Sequence, residues 1–248
     1  MYLRLLIITI FMITSQNTMA EVPETGAFNI TSTASDILGS EISATNSSVI
    51  KEDEELKWEV YVPSNYNPEN PPGVMVYVSP ENHMKNVPAS WPGVMEQNNL
   101  IWVAATMSGN TVLTGRRILK ALMALPLIQE TYKINQNRFY ISGFSGGGRI
   151  ASIIAKEFPH LFKGAIYNCG VNYWDRKAPS RLDLIQKNRY VFITGTNDFN
   201  LEDTKNVYRK YKKAGVKNVK LMIVTRMAHS NPKRVKFNQA VKYLDNRS

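Results

Sequence analysis

The stretch Gly143 to Gly147, with Ser145 at its centre, constrains the fold more than any other part of the chain. It follows the strand-like run Arg138 to Ser142 and precedes the helix-like run Arg149 to Phe158. A chain that passes from strand to helix within a few residues strains the central residue, and flanking glycines avoid Cβ clashes. The pattern therefore predicts a strand, a sharp turn and a helix, with Ser145 exposed at the carboxyl end of the strand.

Other glycine-rich turns can look similar, because such turns also let a helix pack closely on a sheet or cradle a phosphate. A Walker loop needs a lysine after its glycines, and a dinucleotide-binding loop needs a different glycine spacing. Neither feature is present around Ser145. We therefore favour a nucleophilic serine, which at neutral pH requires a base to take its proton and a carboxylate to orient that base.

Three histidines are available as the base. His83 precedes the glycine-rich turn, and His160 lies where a helix ends, in a position typical of a solvated turn. His229 follows the strand-like run Val219 to Thr225 and precedes a helix that begins near Pro232. A loop after the last strand is where a base can reach Ser145, so His229 is the predicted base.

The carboxylate is predicted by the same reasoning. Asp198 lies in the loop that follows the buried strand Tyr190 to Gly195. The competing acids Asp175, Asp183 and Asp203 fall in a polar insertion or on a helix, where a solvated carboxylate is usual. Asp198 is therefore the predicted orienting acid.

The amino-terminal residues have the three parts of a secretory signal peptide. Arg4 supplies a positive charge, the run Leu5 to Ile13 is apolar, and a polar stretch ends at Ala20. The apolar run is shorter than the ~20 residues that a transmembrane helix needs. We therefore predict a signal peptide at residues 1–20, cleavage near Ala20, no transmembrane segment in the mature chain, and a secreted or periplasmic protein.

The rest of the 248-residue chain is predicted to form one catalytic domain at residues 56–248. Residues 21–55 show little periodicity and are predicted to be a linker or peripheral strands. From Leu56 onward strand-like and helix-like runs alternate, which indicates the α/β class, with a mostly parallel central sheet flanked by helices on both faces. No large lid domain is predicted, because only the insertion Val171 to Lys187 can cover the site.

Three aromatic residues are candidates for substrate binding at the carboxyl ends of the strands, where ligands bind in such sheets. Phe144 neighbours Ser145, and Tyr173 and Trp174 lie in the insertion. Alternatively, Trp174 packs the insertion against the hydrophobic core. An open site of this kind suits bulky or polymeric substrates.

The chain carries a formal net charge of +10, concentrated after residue 200. Such a surface suits an acidic polymer or an anionic envelope surface, although a solvated helix face is the more common explanation. The sequence contains no nucleic-acid recognition motif, so nucleic acid is not a predicted partner. Cys169 is the only cysteine and the histidines are scattered, so we predict no intramolecular disulfide, no metal site and no cofactor.

Taken with the order Ser, Asp, His along the chain, the sequence resembles the α/β-hydrolase superfamily. Within it, the sequence is similar to the secreted polyhydroxybutyrate-depolymerase-like and feruloyl or acetyl-xylan esterase branch. The resemblance is carried by Glu59 to Tyr66, by Tyr132 to Gly148, and by the loops of Asp198 and His229. It implies an exported serine esterase that works through a Ser-His-Asp triad and an acyl-enzyme. The resemblance also implies an ester substrate, including a polymeric or polysaccharide-linked one.

The sequence departs from this family after the strand that ends at Val78. Family members usually have His-Gly there, whereas this chain has Ser79 followed by Pro80, which has no N–H to donate. We assign one oxyanion donor to the backbone N–H of Gly146 and the second to that of Glu81 or Asn82. A peptidase, an acyltransferase and a non-catalytic binding protein on the same scaffold remain alternatives.

Overall fold

A computed structural model describes residues 23–83, 86–174 and 178–246. The predicted signal peptide at residues 1–20 lies outside the described residues. Within these three ranges, no helix is long and apolar enough to cross a membrane.

Eight strands form one sheet in the order β1-β2-β4-β3-β5-β6-β7-β8. The strands are β1 (Gly26–Thr33), β2 (Glu55–Val62), β3 (Gly73–Val78), β4 (Leu100–Ala105), β5 (Phe139–Phe144), β6 (Gly164–Asn168), β7 (Arg189–Gly195) and β8 (Val219–Val224). β1 pairs with β2 and β2 with β4 in antiparallel fashion, and all other pairs are parallel. β3 and β4 are buried along their whole length, as expected for strands covered on both faces.

Helices cover both faces of the sheet. They are α1 (Ala34–Leu38), α2 (Ser40–Thr45), α3 (Pro92–Asn98), α4 (Thr114–Thr131), α5 (Gly146–Glu157), α6 (Leu182–Lys187), α7 (Leu201–Lys213) and α8 (Arg234–Leu244). Buried side chains of α4, α5 and α7 belong to one apolar cluster, and those of α3 and α8 belong to a second cluster on the opposite face. The predicted α/β class, with a mostly parallel sheet between helices, is confirmed.

Helix α4 differs in detail from its sequence prediction. The helix-like run Thr111 to Tyr132 predicts a helix with a kink or break at Pro126. In the structure, α4 runs from Thr114 to Thr131 with Pro126 inside it. A proline in a helix interior removes one backbone hydrogen bond and costs about 3 kcal/mol. The helix is buried over residues 117–128, so packing on both sides of Pro126 offsets that cost.

Two buried cations on α4 hydrogen-bond to the segments that follow β3 and β4. Arg117 donates from Nε to the carbonyl oxygen of Ser108 at 2.8 Å and from Nη2 to that of Ser79 at 3.0 Å. Lys120 donates from Nζ to the carbonyl oxygens of Thr106 and Met107. Only 5% of Arg117 and 2% of Lys120 is exposed, so these hydrogen bonds replace the water that each cation loses on burial.

Burial of Lys120 predicts a pH-dependent stability. Desolvation, assisted by the charge of Arg116 and opposed by that of Glu54, lowers the pKa of Lys120 to about 8. An unfolded lysine keeps its proton up to about pH 10.4, so between about pH 8 and 10.4 the unfolded state binds more protons and stability rises with pH. We expect the free energy of unfolding of the wild type, relative to Lys120→Met, to increase by up to about 3 kcal/mol across that range.

Urea denaturation of both proteins at the two ends of the pH range measures this difference. Comparing the two proteins cancels the contributions of the titrating groups that both proteins share. A difference that stays constant from about pH 8 to about pH 10.4 would contradict a depressed pKa for Lys120.

A cluster of charged side chains stabilises the end of the sheet at which β5 begins, opposite to the end at which Arg117 and Lys120 lie. Arg138 donates to the carboxylate of Asp245 from Nε at 2.9 Å and from Nη2 at 2.6 Å, and the Tyr140 hydroxyl donates to the same carboxylate at 2.6 Å. Arg138 also donates to the carbonyl oxygens of Asn98 and Asn99. The cluster thus joins the start of β5 to the ends of α3 and α8.

Candidate active site

The turn between β5 and α5 has the strained geometry that the sequence predicted. Ser145 has φ 54° and ψ −122°, a combination that non-glycine residues rarely adopt. Its N–H donates to the carbonyl oxygen of Asn168 at 2.8 Å, which anchors the turn to the end of β6. Ser145 is half-buried, so its hydroxyl remains accessible at the carboxyl edge of the sheet.

The glycines on either side of Ser145 are required by close backbone contacts. A Cβ on Gly143 would overlap the backbone of Gly147 and lie 2.7 Å from the nitrogen of Gly148. A Cβ on Gly147 would overlap the carbonyl oxygen of Val78 and lie 2.6 Å from its carbonyl carbon. The sharp turn therefore fits against β3 only without side chains at these positions.

The structure brings the predicted serine, histidine and aspartate together. His229 Nε2 lies 2.8 Å from Ser145 Oγ, and His229 Nδ1 lies 2.8 Å from Asp198 Oδ1. Ser145 follows β5, Asp198 follows β7 and His229 follows β8, so all three come from the carboxyl ends of parallel strands. Both distances are ordinary hydrogen bonds.

The surroundings of Asp198 favour its ionised form. Burial alone would raise the pKa of Asp198, but hydrogen bonds, first from Cys169 and His229 and then from Thr194 and Asn200, lower it below the ordinary value. Thr194 donates to Oδ2 at 2.7 Å and the Asn200 N–H donates to Oδ1 at 3.0 Å. An ionised carboxylate only accepts, so His229 carries its proton on Nδ1 and Nε2 is left to accept from the Ser145 hydroxyl.

The three predicted oxyanion donors have different surroundings. Gly146 is the first residue of α5, where a backbone N–H has no partner within the helix. The N–H of Glu81 donates to Ser79 Oγ at 3.0 Å. The nitrogen of Asn82 lies close to Gly109, where an added Cβ would come within 2.7 Å of it. Of the three predicted donors, Glu81 is thus the one whose N–H already donates to another group.

Two aromatic rings flank His229. The ring of Phe144 lies 4.9 Å from that of His229, and the ring of Phe199 stacks on His229 at 4.1 Å and 26°. Phe199 is 77% exposed, so it offers an apolar face to solvent beside the imidazole. The sequence prediction included Phe144 and missed Phe199, although the position of Phe199 directly after Asp198 was a usable signal.

The other two predicted binding residues pack on α7. Tyr173 and Trp174 stack on each other at 4.4 Å, and the ring of Trp174 lies 4.8 Å from that of Tyr211. Tyr173 also borders a cleft of about 400 Å³ whose lining includes Arg149 and Lys210. A role for Tyr173 and Trp174 in substrate binding stays a prediction.

One group of side chains in the described part of the chain has the spacing of a metal site. The ligand atoms of Cys169, Asp198 and His229 lie within 4.8 Å of one another. A cysteine binds metal as the thiolate, whereas burial raises the pKa of the Cys169 thiol well above its usual range. These three side chains therefore fit a hydrogen-bonded network that includes Ser145 better than they fit a metal ion.

Comparison with known proteins gives one sequence match to a short part of the chain and structural matches to most of it. The family model of the prolyl oligopeptidase family matches residues 120–181, about a quarter of the chain. No curated protein matches the sequence. A ferulic acid esterase superposes with a TM-score of 0.65 at 14% identity, and the match covers 91% of this chain and 100% of that one.

Two larger proteins share the same core. A thermostable esterase has a TM-score of 0.62 at 18% identity over 78% of this chain, and the match spans 59% of that esterase. A dipeptidyl peptidase 4 from Porphyromonas gingivalis has a TM-score of 0.58 at 16% identity over 78% of this chain, and the match spans 34% of that peptidase. These likenesses confirm the resemblance inferred from the sequence at the level of the fold: this chain has the α/β-hydrolase fold.

Proposed function

We propose that this protein is a serine hydrolase that cleaves carboxylic esters through an acyl-enzyme, with Ser145 as nucleophile, His229 as base and Asp198 as orienting acid. The observation that carries the proposal is the continuous hydrogen-bonded chain from Ser145 Oγ through both nitrogens of His229 to Asp198, with 2.8 Å at each step. Strain at Ser145 and burial of Asp198 support the same roles, because both are typical of a pre-organised triad.

In the first half of the proposed reaction, Ser145 Oγ attacks the ester carbonyl carbon and its proton passes to His229 Nε2. The carbonyl π electrons move onto oxygen, and the N–H of Gly146 donates to the resulting oxyanion. When the tetrahedral intermediate collapses, the bond to the leaving alcohol breaks and His229 returns the proton to that oxygen. Asp198 stabilises the imidazolium throughout and keeps its own charge.

In the second half, water replaces the alcohol. His229 takes a proton from water as the water oxygen attacks the acyl carbon, which forms a second oxyanion in the same place. Collapse of this intermediate breaks the bond to Ser145 Oγ, and His229 returns the proton to the serine. The acid product leaves and the free enzyme is restored without a cofactor.

The alternatives use the same three residues, so they are separated by substrate and not by geometry. The match to the ferulic acid esterase spans that entire protein, whereas the match to the dipeptidyl peptidase spans about a third of it, and this favours an esterase. Purified wild type and Ser145→Ala should be compared on p-nitrophenyl esters and on peptide anilides. We expect ester turnover that the substitution removes and no anilide turnover.

Anilide cleavage that exceeds ester cleavage would favour a peptidase. Transfer of the acyl group to an added alcohol in preference to water would favour an acyltransferase. Equal and negligible turnover by wild type and Ser145→Ala on all substrates would favour a binding protein.

We further propose that Phe199 and Phe144 contact the acyl group of the substrate, together with Tyr173 or Trp174 for longer substrates. The exposed face of Phe199 beside His229 suits an aromatic acyl group, since stacked rings contribute about 0.5–1.5 kcal/mol. An open site with such a surface fits a bulky ester, including one borne on a polymer.

Phe199→Ala is expected to lower kcat/KM about fivefold more for p-nitrophenyl phenylpropionate than for p-nitrophenyl acetate, because only the first has a ring to stack. Steady-state kinetics on both esters measures the ratio and cancels any change in His229 itself. Val235→Ala, which removes another exposed apolar side chain at 66% exposure, is the matched control and should leave the ratio unchanged. Equal losses on both esters would remove Phe199 from the acyl site.

Export is also part of the proposal, based on the charge, apolar run and small residues of positions 1–20. Expression of the full chain in a bacterial host followed by mass measurement of the periplasmic and secreted fractions tests it. We expect a mature protein that begins near Glu21. Retention of residues 1–20 in the exported fraction, or absence of the protein from both fractions, would contradict it.

A further inference from the structure

Position 146 carries a glycine that the strand-turn-helix pattern does not itself require. In the pattern Gly-x-Ser-x-Gly, this is the second free position. A Cβ on Gly146 would overlap Asn110 Oδ1 and would lie 2.7 Å from Asn110 Cγ and 2.9 Å from Nδ2. The carboxamide of Asn110 therefore lies directly against the residue that follows Ser145.

The orientation of this carboxamide is set by Arg117. Arg117 Nη1 approaches Asn110 Oδ1 at 3.4 Å, while the same guanidinium donates to the carbonyl oxygens of Ser108 and Ser79. The backbone N–H of Asn110 donates to the carbonyl oxygen of Pro80 at 2.9 Å. The amide oxygen of Asn110 thus accepts from a buried cation, which leaves the NH₂ group, 2.9 Å from where a Cβ of Gly146 would lie, as a donor beside the residue that follows Ser145.

The segment that follows β3 offers fewer donors than its sequence suggests. The N–H of Glu81 donates to Ser79 Oγ, and Gly109 packs against the backbone nitrogen of Asn82. Asn82 Oδ1 in turn accepts from the N–H of Gly109 at 2.8 Å. These contacts fold the segment onto the loop after β4, and they bring Asn110 to the side of Gly146.

We propose that Asn110 Nδ2 supplies the second hydrogen bond to the oxyanion, beside the N–H of Gly146, and that Arg117 is the positioning residue that orients it. The inference rests on the proposed serine-hydrolase function and assigns a side-chain donor to the same site. Charge builds on the substrate oxygen only as Ser145 attacks, so the hydrogen bond strengthens in the transition state and acts on kcat more than on KM.

Asn110→Ala and Asn110→Asp test the donor. The aspartate keeps the shape and still accepts from Arg117, but at neutral pH it has no hydrogen to donate. We expect kcat for a p-nitrophenyl ester to fall by about 10²–10³ in both variants, with KM changed by less than about threefold. Inhibition by a trifluoromethyl ketone, which forms a tetrahedral adduct with the serine, should weaken by a similar factor.

Thr111→Val is the matched control for disturbance of the loop. Thr111 is the next residue, is exposed, and accepts a hydrogen bond from Asn82 Nδ2 at 3.1 Å. We expect its kcat to stay within about twofold of wild type, as is usual for surface substitutions. Arg117→Lys keeps the positive charge but cannot contact Ser108, Ser79 and Asn110 at the same time as the guanidinium does. This variant should lower kcat and leave KM unchanged.

A further pair of variants tests the contact itself. Gly146→Ala should lose activity because its methyl group overlaps the Asn110 carboxamide. In the Asn110→Ala background the same substitution should cause a much smaller additional loss, since the overlapping atoms are gone.

The outcomes separate this inference from the proposed function. A wild type that turns over no ester would overturn both. An active wild type whose Asn110→Ala and Asn110→Asp variants keep kcat and inhibitor affinity within about threefold would overturn the role of Asn110 alone. Equal losses in Asn110→Ala and Thr111→Val would also overturn it, because they would show a disturbed loop and not a missing donor.

Discussion

Asp198→Asn is expected to lower kcat by about 10⁴ while the protein keeps its fold. An asparagine that turns its NH₂ group toward His229 Nδ1 donates a hydrogen bond to that nitrogen, so the imidazole carries its proton on Nε2. That tautomer cannot accept the proton of the Ser145 hydroxyl, which His229 Nε2 approaches at 2.8 Å. Steady-state kinetics on one activated ester, with circular dichroism for the fold, measures the effect.

Asp203→Asn is the matched control. Asp203 lies only a few residues further along, in the first turn of α7, and pairs with Arg149 at 3.1 Å on the surface. An exposed pair of this kind at a helix start contributes about 0.3–1 kcal/mol to stability and nothing to the proposed chemistry. Near-wild-type turnover in Asp198→Asn would remove Asp198 from the triad and reopen the choice of acid.

Asp245→Ala is expected to lower the free energy of unfolding by about 3–5 kcal/mol, because it leaves the buried guanidinium of Arg138 without its carboxylate. The Asp245 side chain is 3% exposed and that of Arg138 is 18% exposed, so solvent compensates little. Urea denaturation measures the loss. The cluster lies at the start of β5, about 20 Å along the strand from Ser145, so kcat per folded molecule should not change.

Asp183→Ala provides the comparison for Asp245. Asp183 also pairs with an arginine, Arg181, but both side chains are more than half exposed. We expect a much smaller effect on stability, since water screens that pair. Equal effects of the two substitutions, or a loss of kcat in folded Asp245→Ala, would contradict the separation of the anchoring cluster from the site.

The general plan of the fold and the positions of three site residues could be predicted from the sequence. Buried strands and amphipathic helices alternate, and in a parallel sheet the loops that follow the strands meet at one edge. Ser145, Asp198 and His229 each follow a strand-like run, so their convergence is a consequence of topology that local patterns reveal.

Other parts of the site depend on contacts between distant segments. The sequence predicts that the N–H of Glu81 is available to the oxyanion. In the structure this N–H donates to the Ser79 hydroxyl, a hydrogen bond that depends on the geometry of the turn and cannot be read from the sequence. Asn110 belongs to no recognisable motif in the sequence. In the structure it is an exposed residue of the loop after β4, and only the arrangement of β3, β4 and α4 brings it beside Gly146.

The place of the amino-terminal strand in the sheet also depends on contacts with a distant segment. β1 is rich in small polar residues, yet it pairs with β2 along eight residues, from Gly26 opposite Val62 to Thr33 opposite Glu55. An edge strand buries only part of its surface, so its apolar alternation is weak. Its place in the sheet depends on β2 and could not be read from residues 21–55 alone.

Identification of the residue that a fluorophosphonate labels tests directly whether Ser145 is the nucleophile. The reagent phosphonylates an activated serine, and digestion with mass spectrometry locates the adduct. We predict one adduct per molecule, on the peptide that contains Ser145, and no adduct in Ser145→Ala. Labelling that persists at another residue in Ser145→Ala, or a folded wild type that is not labelled, would contradict Ser145 as the activated nucleophile.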